Sequence, residues 1–119
     1  MKLLDIVVKD AIIPTLIATG RDAAITEIID TLVTTGALSP ELRDEFVKAI
    51  IKREKRGSTG FGHGVAVPHV KHSAINKMAI AIGISPTGVE FNALDQQPVY
   101  SIFLLLSPEI SLRIIWTRW

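Results

Sequence analysis

The chain has 119 residues, enough for one domain with a modest core and too few for two of ordinary size. Thirteen basic against twelve acidic residues leave a net charge of +1, which offers no electrostatic footprint for nucleic acid. Cysteine is absent, so disulfides, thiolate nucleophiles and cysteine-ligated zinc are excluded together. Asp5 and Asp10 interrupt what would have to be the apolar stretch of a signal peptide, and no apolar run approaches the roughly 20 residues of a membrane span. A cytoplasmic protein without membrane insertion is the expectation. Hydrophobic residues make up 48% of the chain, more than folding requires, so part of that surface is expected to be covered by something else.

In chain order, residues 3–16 mix short apolar clusters with Lys9 and Asp10, and Pro14 argues against a long helix; residues 12–16 suit an edge strand. Ile25, Ile28, Ile29, Leu32 and Val33 then recur at helical spacing, which predicts an amphipathic helix ending at Gly36. Ser39 as N-cap, Pro40 at the first helical position and Glu41 behind it predict a second helix with Leu42, Phe46, Ala49 and Ile50 on one face. Its end is the basic cluster Lys52, Arg53, Lys55, Arg56, closed by Gly57. Two later runs, residues 78–84 and 99–106, are short, uniformly apolar and bounded by turn residues, and read as buried strands. The stretch between them, punctuated by Pro86, Gly88 and Pro98, reads as a loop with a short extended piece. Helices followed by strands that are apolar on both faces imply an α/β fold, a central mixed sheet flanked by helices on both faces.

The chemistry is concentrated between Gly57 and His72. That segment holds Gly57, Gly60, Gly62 and Gly64, the hydroxyls of Ser58 and Thr59, and the imidazoles of His63, His69 and His72. Dense glycines let backbone N–H groups turn toward an anion, and Pro68 extends the chain just before His69. A neutral imidazole is nucleophilic near pH 7 and can accept a phosphoryl group that stays reactive enough to pass on. Such a site needs alignment and charge stabilisation, with no cofactor and no metal. The candidate donors are Arg53, Ser58, Thr59 and the backbone amides of residues 62–66, Gly62 and Gly64 among them. A zinc site built from the three histidines lacks a nearby Asp, Glu or Cys to complete it, and the nucleotide-binding glycine motifs are absent. The glycines also have a plain reading as a turn between helix and strand, and the basic cluster as a solvated helix end.

Arg53-Glu54 followed by S-T-G-F-G-x-G-V-A-V-P-H from Ser58 to His69 resembles the signature of the fructose/mannitol and nitrogen-regulatory type IIA component of the phosphoenolpyruvate-dependent phosphotransferase system. The similarity runs from Leu3 to Pro108. It implies the mannitol-type IIA fold, His69 as the phosphorylated residue and Arg53 beside it. The implied donor is an HPr-like carrier, and the implied acceptor is a IIB domain or a regulatory partner. Relatives commonly carry Asn at the position of His63. The resemblance makes residues 1–108 the domain, incomplete at its end, and residues 109–119 an atypical tail. The family continues after this point with helices that carry a second active-site histidine. The segment EISLRIIWTRW matches none of that and holds no histidine. It therefore reads as a truncation or altered frame, with the C-terminal helices missing, an uncovered apolar patch and impaired or absent transfer as the expected consequences.

Overall fold

The computed structural model describes residues 7–109. Strand β1 spans Val7–Ile13, helix α1 Arg21–Thr34, a 3-10 turn Pro40–Leu42 and helix α2 Arg43–Arg56. Five strands follow: β2 Gly60–Gly62, β3 Val65–Ala66, β4 His69–His72, β5 Ala79–Val89 and β6 Val99–Pro108. Together the strands form one six-stranded mixed sheet in the order β1-β5-β6-β3-β2, with β4 also paired to β6. The β5–β6 pair is antiparallel, while β1 runs parallel to β5, and β3 and β4 run parallel to β6.

The predicted edge strand exists but lies earlier, at Val7–Ile13, because Pro14 cannot donate to a ladder. Helix α1 buries Ile25, Ile28, Ile29 and Leu32, the helical stripe read from the sequence, and Gly36 takes the left-handed φ of 83° that turns the chain away. From Ser39 onward the structure corrects three details. Ser39 makes no side-chain cap; its carbonyl instead accepts the Leu42 N–H at 3.0 Å in the 3-10 turn, so the α-helix proper begins at Arg43. Ala49 is exposed, and the buried face continues instead through Phe46, Ile50 and Glu54, four residues apart each time. The apolar run at 78–84 belongs to a longer strand, because β5 passes through an irregularity after Ile84 and rejoins β6 at Val89 opposite Val99. Pro86 falls inside that bulge, where its missing N–H breaks no ladder bond, and the Ser85 hydroxyl accepts the Gly88 N–H at 3.0 Å.

The core lies between the two helices and one sheet face. Register places Gly83 opposite Ile102, Val70 opposite Leu106 and His72 opposite Pro108, so these residues share a face. A Cβ on Gly83 would come within 2.9 Å of Ile28, and the Phe46 ring lies 4.8 Å from that of His72. Both described helices therefore cover the same face. The mixed α/β sheet is the architecture expected, whereas among the described residues the helices cover one of its faces and not both. Of the tail expected at residues 109–119 only Glu109 is described; the missing helices and the apolar patch expected there lie outside the described residues. Among the described residues no helix is long and apolar enough to cross a membrane.

Pro68 sets the geometry that matters most for function. β3 and β4 lie end to end along the same edge of β6, with Ala66 opposite Ile102 and His69 opposite Leu105. Lacking an N–H, Pro68 interrupts the ladder, while its carbonyl still accepts the Leu105 N–H at 2.8 Å. His69 is the first residue after that break.

Candidate functional site

The site begins at the last turn of α2. The Arg53 guanidinium donates from Nη1 to the Gly57 carbonyl at 2.8 Å, capping the helix with its own side chain. One residue on, Glu54 turns inward and is only 3% exposed. A buried carboxylate near a helix C-terminus faces both desolvation and an unfavourable dipole, so it needs donors. Thr59 supplies two: its N–H reaches Oε2 at 3.0 Å, and its hydroxyl donates to Oε1. Residues 54–59 are thereby tied into a compact loop, with the Ser58 hydroxyl accepting the Gly60 N–H at 2.9 Å inside it.

The chain then makes a tight hairpin from β2 to β3. Gly62, His63 and Gly64 have φ of 137°, 59° and 72°. The Gly64 carbonyl accepts the N–H groups of Tyr100 and Ser101 at 2.8 and 3.0 Å, and a Cβ on Gly64 would lie 3.0 Å from the Tyr100 ring. His63 is exposed and takes a left-handed backbone, a conformation that asparagine also adopts more readily than most residues.

His69 is partly buried and lines an open cleft of about 450 Å³ with Arg53, Thr59, Phe61, Val67, Val70 and Lys71. Burial lowers its pKa below the ordinary 6.5, and the positive charges of Lys71 and Arg53 push the same way. The ring is therefore neutral at pH 7, the form whose lone pair can attack phosphorus. Its Nε2 lies 2.7 Å from the hydroxyl of Ser107. The smaller hollow beside residues 90–98, about 300 Å³, is lined by Glu90, Phe91, Asn92, Ala93, Gln96, Gln97 and Pro98 and holds no comparable nucleophile.

Of the residues singled out from the sequence, the structure brings Arg53, Thr59 and His69 to one cleft. The other residues singled out are engaged elsewhere. Gly62 and Gly64 do not line the cleft; they serve the hairpin, where positive φ and close approach to Asp95 and Tyr100 favour glycine. Ser58 is turned into its own loop, and the Thr59 hydroxyl proton is committed to Glu54, so neither hydroxyl is aimed at an anion beside His69. His72 serves packing: its ring contacts Phe46, Nε2 donates to Glu45, and Nδ1 accepts the Ala74 N–H at 2.9 Å.

Sequence reasoning quoted Glu54 without giving it a role and did not single out Ser107. Glu54 carried a signal, since it continues the stripe of Phe46 and Ile50. Ser107 carried almost none: it lies 38 residues from His69, and only the fold makes them neighbours.

Residues 5–114 match the family described as "Phosphoenolpyruvate-dependent sugar phosphotransferase system, EIIA 2". The chain belongs to that family. Over 109 residues, 92% of the chain, it is 33% identical to the fructose-specific EIIABC component of Bacillus subtilis, and it is 33% identical to the fructose-specific EIIA component of Haloferax volcanii over 88 residues, 74% of the chain. It spans 17% of the first of these EIIA relatives and 56% of the second. A nitrogen regulatory protein of Bradyrhizobium diazoefficiens is 31% identical over 109 residues, covering 92% of the chain and 69% of that protein. Among solved structures, the nitrogen regulatory protein IIA-Ntr of Neisseria meningitidis superimposes with a TM-score of 0.81 at 29% identity, over 98% of this chain and 78% of that one. The complex of Escherichia coli enzyme IIA-mannitol with phosphorylated enzyme IIB-mannitol gives a TM-score of 0.71 at 22% identity, over 91% of this chain and 74% of that one, a likeness of fold. The mixed α/β architecture of this EIIA chain is thus the mannitol and IIA-Ntr fold.

Proposed function

We propose that this EIIA chain is a phosphocarrier in which His69 accepts a phosphoryl group from an HPr-like carrier and passes it to a IIB domain. The observation that carries this reading is the neutral imidazole of His69 at the ladder break, in a cleft that also holds Arg53 and Lys71. The ring lone pair forms the new N–P bond while the donor's N–P bond breaks and its electron pair returns to the donor. Arg53 and Lys71 offset the charge of the phosphoryl oxygens, the guanidinium with a planar fork of N–H groups suited to them. Glu54 and Thr59 keep the adjoining loop in shape. A cytoplasmic location goes with this reading.

A second reading is favoured by the likeness to IIA-Ntr, which covers 98% of this chain. Under it the same phosphohistidine controls contact with a regulatory partner. One experiment tests the site and separates the readings. Incubation with enzyme I, HPr and phosphoenolpyruvate labelled in its phosphoryl group should give acid-labile label on the chain; His69→Ala should abolish it, and His63→Ala or His72→Ala should not. Label surviving in His69→Ala refutes the assignment. Drainage of the label onto an added IIB domain supports the carrier reading, and its retention supports the regulatory one.

A further inference from the structure

The geometry points to Ser107 as a phosphoryl-binding residue, whose hydroxyl first holds the reactive lone pair of His69 in place and then hydrogen-bonds the transferred group. This inference rests on His69 being the acceptor. It starts from register: β4 and β6 run parallel with His69 opposite Leu105 and Lys71 opposite Ser107. Alternation then places the side chains of His69, Lys71, Leu105 and Ser107 on one sheet face, the face opposite the two helices. Ser107 is one step diagonally from His69, and its hydroxyl sits 2.7 Å from Nε2.

Burial decides the direction of that bond. Ser107 is 6% exposed, and among the described residues the only hydrogen-bond partner of its hydroxyl is His69 Nε2. A hydroxyl carries one proton to donate, and a buried donor without an acceptor is unfavourable. The Ser107 O–H therefore donates to Nε2, which puts the lone pair on Nε2 and the ring proton on Nδ1. The nucleophilic nitrogen is thus Nε2, and the serine selects it.

The transfer step balances without any proton leaving the serine. The Nε2 lone pair forms the bond to phosphorus, the donor's N–P bond breaks, and the donor nitrogen keeps that pair. The Ser107 proton stays on Oγ throughout. Its hydrogen bond moves from Nε2 to a phosphoryl oxygen as the side chain turns to another staggered rotamer. Thr59, which the sequence offered as a hydroxyl donor, is committed to Glu54; Ser107 supplies the donor instead.

The test uses the full chain in three forms: unmodified, Ser107→Ala and Ser107→Thr. Labelling from phosphorylated HPr should slow about tenfold or more in the alanine variant, the scale of one hydrogen bond to a charged group, and threonine should recover most of that loss. A nitrogen-15 spectrum of His69 without any donor present should show the Nδ1–H tautomer in the unmodified and threonine proteins and a mixture of tautomers in Ser107→Ala. Unchanged rates with unchanged tautomer populations overturn the proposal. So does slowing that threonine does not recover while the tautomer stays put, the mark of packing alone. If the unmodified chain takes no label, the proposed function fails, and the tautomer comparison by itself still decides whether Ser107 governs the ring.

Discussion

Glu54 and Thr59 are joined twice, by the backbone N–H at 3.0 Å and by the side-chain hydroxyl, across a loop of only four intervening residues. The carboxylate closes the end of α2 onto the start of β2, and Thr59 in turn lines the His69 cleft. A buried charge that would otherwise be unfavourable has become the fastening of the loop that frames the nucleophile.

Removing that fastening should be felt in stability. Glu54→Ala leaves two buried donors of Thr59 unpaired, each worth roughly 1–3 kcal/mol. Denaturant unfolding should show a loss of about 2 kcal/mol or more. Glu54→Gln should fare better, because its amide can accept from the Thr59 N–H and donate to the hydroxyl oxygen. A loss below about 0.5 kcal/mol for alanine, typical of an exposed site, would show that the pair holds nothing.

Arg53 and the titration of His69 are linked. Arg53→Gln removes a positive charge that helps lower the pKa of His69, so an NMR titration should find that pKa moved up toward 6.5. Phosphoryl acceptance in the unmodified chain should persist to a lower pH than a histidine of ordinary pKa allows, and the variant should lose rate earlier on acidification. The sign for stability follows. With the folded pKa below 6.5, the unfolded state binds the proton first as pH falls, so the contribution is complete above about 6.5 and declines from there to the folded pKa. Identical titration curves for the two proteins would remove Arg53 from the site. Arg53→Lys keeps the charge but loses the fork, so its phosphorylation rate should drop while folding changes little.

His72→Ala should leave labelling intact and weaken the fold. The change removes the ring packed on Phe46, the bond to Glu45 and the acceptor of the Ala74 N–H. About 1–2 kcal/mol is expected, most of it from the packing and the lost acceptor, since Glu45 is exposed. An abolished label with unchanged stability would reverse the roles given to His69 and His72.

Gly83 lies where Ile28 of α1 and Leu16 press on the sheet. A Cβ there would come within 2.9 Å of Ile28 and 3.0 Å of Leu16, so Gly83→Ala must displace side chains of the core. Overpacking of this kind costs about 1–3 kcal/mol. A melting temperature equal to the unmodified protein's would mean that the helix yields freely at this point.

Local chemistry made much of this legible in advance. Helical spacing of isoleucines marked α1, apolar runs between turn residues marked the interiors of β5 and β6, and Pro68 before His69 marked the exit of the nucleophile. Each of these signals lies within a few residues, where steric limits and periodicity act directly on the backbone. The phosphotransferase signature rests on the same short segment.

The tertiary structure decided which groups meet. Nothing local distinguishes the hydroxyls of Ser58, Thr59 and Ser107; register across β4 and β6 turns Ser107 to His69, while Glu54 captures Thr59. Gly62 and Gly64 invited a role in holding an anion, because positive φ suits both a cradle and a hairpin, and only the positions of Tyr100 and Asp95 select the hairpin. Burial likewise lowers the pKa of His69 through a cleft assembled from α2, β2 and β4. Backbone preference is a property of neighbours in sequence, whereas hydrogen-bond partners and desolvation belong to neighbours in space.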